Sequence, residues 1–268
     1  MSDSLPESVR ASFRTHLNYI KCIEKLLLTS KFFAKQIGSP IKSEFGIRRF
    51  KKLNKITVKS IERDIELARE DPEFGMIIAP WFPVKCYYAL YYFESILINL
   101  IDGDMAGFRH GGHGAVRKKI CNLVSTKNIY FDEATLDMVY SLSRISSMPP
   151  INPGQNTKNS YWSEVQCGDS VAKKLFDYKL YDRKINKKWN LYSPKDRAEK
   201  KDFIKTERLM LIDFFYWYRI KANYRDFDYI DFENGITPAE TLQYLESYFN
   251  AFRLYSAGLM QQIERLDV

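Results

Sequence analysis

Apolar residues recur at steps of three and four along much of the chain, the period of a helix that buries one face. The clearest run is Val9, Phe13, Leu17, Ile20, Ile23, Leu26 and Leu27. It predicts a helix over 6–36, with Ser4 as a cap ahead of Pro6 and Gly38 near the end. A basic stretch follows, then a helix over 58–69 that Asp71-Pro72 terminates, and 74–80 reads as a connection. Pro83 opens the next helix, which continues to Ile101 before Asp102-Gly103 stops it. That helix is apolar nearly all round, so it belongs at the centre of a bundle. Shorter helices are predicted over 115–124 and 132–145, the second ended by Met148-Pro-Pro-Ile-Asn-Pro-Gly154. A long helix is expected over 202–224. Thr237-Pro-Ala-Glu240 is a capping box with proline at the first helical position, and it starts a last helix that reaches Arg265. The pattern sets the fold class as all-α, one helical domain over 1–268 without internal repeats. Residues 155–200 are polar and turn-rich, which marks 146–201 as a basic, loop-rich insertion.

Charge sharpens this picture. The net charge is +8, and residues 173–205 carry twelve Lys or Arg against five Asp or Glu. Residues 42–59 carry seven against one. Two segments thus hold more than the whole excess, which suits either a phosphate-bearing partner or a solvated surface. Cys22, Cys86, Cys121 and Cys167 are far apart with no C-x-x-C pair, as in a reducing compartment, and the cytoplasm is expected. The polar start of the chain lacks a signal-peptide pattern. The most apolar run, 86–101, is shorter than the ~20 residues of a membrane span, so no membrane is expected.

The candidate chemistry lies in two places. The first is Arg109-His-Gly-Gly-His113 and the basic residues after it. The histidine pair lacks the further ligands that zinc needs, so no metal and no cofactor are expected. Backbone N–H groups there, with Arg109, Arg117 and Lys118, can hold a phosphate, or the segment is a loop before a basic helix start. P-loop, dinucleotide-binding, hydrolase-elbow and zincin signatures are absent from the sequence. The second place follows Tyr216-Trp217-Tyr218. Arg219, Asn223 and Asp226 share one helix face, where a cation, an amide and a carboxylate would grip a phosphodiester. The alternative is an internal ion pair of Arg219 with Asp226, Asp213 or Glu94. In the basic insertion, Lys184, Lys187 and Lys188 are the expected phosphate contacts.

Tyr87-Tyr-Ala-Leu-Tyr-Tyr-Phe93 resembles the "A-Y-Y-A-x-F" signature of the second helix in HEPN domains. His113 before Ala115-Val-Arg-Lys-Lys-Ile120 resembles the histidine that opens their third helix. Arg219-Ile-Lys-Ala-Asn-Tyr224 is similar to the "R-x-x-A-D-Y" ending of their fourth, and the succession is in the family's order. The resemblance covers about half the chain. It implies an antiparallel HEPN-like bundle, a homodimer, and RNA as partner. It also implies metal-independent endoribonuclease activity, or a toxin or antiviral defence role with a partner protein. In such enzymes an Arg neutralises the phosphate and a His four to six residues later moves protons. Here Tyr224 stands where the shortest spacing puts that His. Catalysis would therefore draw on Arg219, Asn223 and Tyr224 with His113 or His110, or the protein binds RNA without cutting. A non-catalytic helical adaptor or dimerisation module is the competing class.

Overall fold

The computed structural model describes residues 7–29, 47–102, 112–125, 139–147, 164–190, 192–210, 213–224 and 236–266. The described elements are α1 (Glu7–Thr29), α2 (Ile47–Glu70), α3 (Pro72–Ile78), α4 (Phe82–Asp102) and α5 (Gly112–Ser125), then β1 (Val139–Ser141) and α6 (Leu142–Ser146). After these come α7 (Glu164–Lys187), α8 (Pro194–Thr206), β2 (Arg208–Met210), α9 (Asp213–Tyr224) and α10 (Pro238–Leu266). Among the described residues the protein is all-α apart from one antiparallel ladder, in which Val139 pairs with Met210 and Ser141 with Arg208.

The central place of α4 follows from its sequence. Cys86, Ala89, Leu90, Ile96, Leu97 and Leu100 leave it no wholly polar face, and all are buried. It packs against α2, α10, α9 and α5, while α1 lies along α10 and α7. The buried apolar side chains of all these helices form one connected core. Cys22, Cys86 and Cys121 are buried within it, and none of the three is in a disulfide. Among the described residues no helix is long and apolar enough to cross a membrane.

Several elements differ from the sequence expectation. α2 begins at Ile47 rather than 58, because Ile47, Asn54, Ile61 and Ile65 keep one buried stripe through the lysines. Residues 72–78 form a helical turn rather than a connection, since the Asp71 side chain accepts hydrogen bonds from the Glu73 and Phe74 N–H groups, with Pro72 next to it. The helix expected over 202–224 is two helices. α8 ends at Thr206, and Arg208–Met210 leaves it to pair with β1. Of the helix expected over 132–145, residues 139–141 are the strand β1 and the end, from Leu142, is helical in α6, while 132–138 lie outside the described residues.

The largest difference is in the segment read as a loop-rich insertion. Residues 164–187 form the 24-residue α7, packed against α1 and α9. Val171, Ala172, Leu175 and Phe176 bury its first half, and Lys184, Lys187 and Lys188 are exposed at its end. The helix closes through hydrogen bonds from Trp189 N to Lys184 O (3.0 Å) and from Lys188 N to Ile185 O (3.1 Å). This is the pattern in which glycine usually takes the left-handed position. Lys188 occupies it with φ 51°. Trp189 then turns back and packs edge-on against Phe203 of α8, with ring centroids 5.9 Å apart.

Lys188→Gly is expected to raise stability by about 1 kcal/mol, because a Cβ in the left-handed region is strained and the exposed lysine gives little in return. Urea unfolding checks it, and an unchanged or lower midpoint would contradict the capping role of this position.

Candidate functional site

Three helices converge on one aromatic cluster. From α4 come Tyr87, Tyr88 and Tyr91, from α5 His113, and from α9 Tyr216 and Arg219. The chain enters α5 through Gly112 at φ 56°, a turn that favours glycine and delivers His113 onto the tyrosines. The His113 ring lies 4.5 Å from Tyr91, 5.3 Å from Tyr87 and 5.5 Å from Tyr88, centroid to centroid. The Arg219 guanidinium lies 4.9 Å from the centre of the Tyr87 ring, 5.4 Å from Tyr216 and 6.0 Å from Tyr88. Tyr87 is buried, whereas His113, Tyr88, Tyr91 and Tyr216 are half-buried at the rim.

The protonation states follow from burial. Desolvation pushes the hydroxyls of Tyr87, Tyr91 and Tyr216 above their ordinary value, so all three stay protonated at neutral pH. The same effect, with the Arg219 charge added, pushes the His113 imidazole down to about 4. The Tyr87 hydroxyl lies 2.9 Å from His113 Nδ1, its one hydrogen-bond partner among the described residues. His113 is neutral at neutral pH, and in the tautomer with its proton on Nε2 the Tyr87 hydroxyl donates to Nδ1.

Arg219 is 6% exposed, and its Nε is buried without a hydrogen-bond partner among the described residues. No described carboxylate lies within ion-pair distance of it. Glu94 and Asp213, two of its candidate partners, are taken by Arg117. That guanidinium bonds Glu94 Oε1 through one terminal nitrogen and Asp213 Oδ1 through Nε at 2.8 Å. The Tyr255 hydroxyl donates to the same Glu94 oxygen at 3.0 Å, and Met210 N donates to Asp213 Oδ2 at 3.0 Å. Burial pushes the Glu94 carboxyl up, against the pull of Arg117 and the Tyr255 hydrogen bond.

The remaining sequence candidates divide. Arg117, expected on a phosphate-binding surface, is buried in this ion pair and is not presented to solvent. Lys118 is exposed, with Glu207 4.0 Å away. Lys184, Lys187 and Lys188 lie at the end of α7 and have no part in the Arg219 cluster. Asn223 and Tyr224 continue α9, but their side chains lie outside the described residues, as do Arg109, His110 and Asp226. His16 is a core residue of α1, edge-on to Tyr218 at 4.8 Å, on another side of α9 from Arg219. Among the described residues no group of three His, Cys, Asp or Glu side chains is placed to hold a metal ion.

The tyrosines around Arg219 were legible as part of an apolar helix and of the Tyr87–Phe93 resemblance, but not as site residues. Their signal was chemical: four hydroxyl-bearing rings in Tyr87-Tyr-Ala-Leu-Tyr-Tyr are more polarity than a purely structural face needs. Comparison with known protein families, curated proteins and solved structures finds no match for this chain. The site is therefore argued from its own geometry.

Two outcomes follow. Arg117→Met leaves two buried carboxylates without a counter-charge and is expected to cost about 3–5 kcal/mol in denaturant unfolding. The pH dependence comes from His113, whose folded value of about 4 is below the ordinary 6.5. Between the two the unfolded chain binds the extra proton, so stability is complete above about 6.5 and falls as pH drops toward 4. His113→Gln is expected to flatten that slope in urea midpoints measured across the window. An identical slope in the variant would assign the pH dependence to another group.

Proposed function

We propose that this chain is a HEPN-like helical protein that binds RNA at the cluster of Arg219, His113 and the surrounding tyrosines. One observation carries the reading: Arg219 is a desolvated cation over three aromatic rings, with no carboxylate partner among the described residues. Ring faces offset part of the desolvation cost, but a buried charge is fully stabilised only by an opposite charge. A phosphodiester supplies that charge in the planar, two-oxygen form that a guanidinium matches. Phosphate and imidazole are complementary here as well, since neutral His113 offers Nε2–H as a donor. The half-buried rings of Tyr88 and Tyr91 at the rim suit base stacking, which is how single-stranded RNA is held without base pairing. The exposed lysines of α7 and α8 add sequence-independent attraction.

Binding fits this site better than strand cleavage. A group with a value near 4 is a weak base for a ribose hydroxyl at neutral pH, and in its neutral form it is a poor acid for the leaving oxygen. The metal-independent endoribonuclease reading would need His113 in its other tautomer, with Nε2 unprotonated and the Tyr87 proton directed elsewhere. A toxin or defence effector that acts by sequestering RNA needs neither change.

The test is fluorescence anisotropy with labelled single-stranded RNA. Wild type is expected to bind with a steep salt dependence, and Arg219→Gln to weaken binding ~10-fold or more while keeping the helical circular dichroism. Bound phosphate favours the charged imidazole, so affinity is expected to rise as pH falls below 6.5, and His113→Gln to remove that rise. Undiminished affinity in Arg219→Gln would overturn the proposal.

A further inference from the structure

Beside the Arg219 cluster lies a cavity of about 690 Å³, enclosed by α5, α7, α8, β2 and α9. That is the size range of small-molecule sites, and larger than one nucleotide requires. One wall is aromatic: Tyr216 and Trp217 meet at 73° with centroids 5.2 Å apart, so one ring can offer a face while the other closes the side. Both are half-buried and both line the cavity.

The other wall is cationic, and its cations are not equivalent. Arg117 is committed to Glu94 and Asp213. Lys179 is committed to Glu207 at 3.2 Å and to the Arg208 carbonyl. Lys118 has only the distant Glu207 at 4.0 Å, and Arg208 has no ion-pair partner among the described residues. Arg183 lies over the Phe203 ring at 5.3 Å and pairs with Glu199 at 3.7 Å, while its Nε is buried and without a hydrogen-bond partner among the described residues. Lining carboxylates are fewer than lining cations: Asp182, Glu207 and Asp213 against Arg117, Lys118, Lys179, Arg183 and Arg208. Glu94 and Glu199, outside the lining, hold Arg117 and Arg183, so the cations that favour an anion are Lys118 and Arg208, and the aromatic wall favours a flat ring beside it.

We propose that this cavity binds one nucleotide unit, its base against Trp217 and Tyr216 and its phosphate against Lys118 and Arg208. The asymmetry of the walls, flat rings on one side and loosely held cations on the other, is that of a base joined to a phosphate. Asn122 and Asp182 also line the space and offer an amide and a carboxylate to a base edge. A free nucleoside monophosphate and a nucleotide within an RNA strand present the same chemistry. The cavity stands on its own geometry, but it shares Tyr216 with the Arg219 cluster, and Gly114 on its wall follows His113.

Calorimetric titration with AMP and, separately, with a short oligoribonucleotide tests the site in the full chain. The variants are the double change Lys118→Ala with Arg208→Ala, both at exposed side chains, and Trp217→Leu. Wild type is expected to bind AMP, or the oligonucleotide where the strand is the source, and the double variant to lose ~10-fold or more in affinity. Should Trp217→Leu not fold, the double variant still decides. No AMP binding, with oligonucleotide affinity unchanged in the double variant, would overturn the inference. If Arg219→Gln still weakened the oligonucleotide, RNA binding at Arg219 would survive that result. AMP binding lost in the double variant and kept in Arg219→Gln, with no oligonucleotide binding, would support the cavity and end the RNA reading.

Discussion

Arg117 fixes three helices to one another through two carboxylates, Glu94 from α4 and Asp213 from α9. Most of the functional cluster stands about a whole number of turns away along each helix, and Arg219 is carried a further step round α9. Tyr87 is two turns before Glu94, His113 is one turn before Arg117, and Tyr216 and Arg219 follow Asp213 at steps of three. Helix periodicity therefore keeps Tyr87, His113 and Tyr216 on the side of their helices that the ion pair holds together, and Arg219 lies one step of three beyond Tyr216. The clamp extends further, because Tyr255 ties α10 to Glu94 and the Met210 N–H ties β2 to Asp213. An apolar core of the same volume would hold the helices as strongly, and a buried ion pair gives little net stability. What it adds here is register, since three charged groups with hydrogen-bond geometry tolerate less sliding than interdigitated leucines.

The two buried guanidiniums are treated oppositely, and that contrast defines the site. Arg117 has two carboxylates and a fixed geometry. Arg219, six residues along α9 from Asp213, has ring faces and no carboxylate beside it among the described residues, and depresses the basicity of His113. Both effects have one cause: positive charge held in a poorly hydrated space with nothing negative beside it among the described residues. Such an arrangement costs stability, and sites that bind anions tolerate that cost where a core would not.

Much of the bundle was legible in the sequence, and for identifiable reasons. α4 declared itself by being apolar on every face, and α10 by its capping box, whose Thr237 and Glu240 exchange hydrogen bonds at 3.0 and 3.2 Å. α7 was hidden because its buried stripe is short. Four apolar residues, Val171, Ala172, Leu175 and Phe176, are followed by lysines, and Lys188 closes the helix where glycine would have marked the end. The break between α8 and α9 was hidden for a different reason. Arg208–Met210 has no strand signal of its own and is extended because it pairs with β1, a tertiary cause. In the site, Arg219 and His113 could be singled out by residue type. Their shared dependence on Tyr87 could not, because it arises from three helices meeting and no spacing in the chain encodes it.

Tyr216 links the parts that remain separate in the sequence. One turn after Asp213, it is positioned by the Arg117 clamp, supports the Arg219 guanidinium at 5.4 Å, and walls the cavity beside Trp217. The neighbouring helix α7 supplies Lys179, Asp182 and Arg183 to the far wall, so the basic segment is the enclosing side of the space and no appendage to it. That arrangement gives the excess of lysine and arginine in 173–205 a structural consequence. Lys179 and Arg183, which in an extended loop would act only at long range, are brought by α7 to line the same cavity as Tyr216 and Trp217.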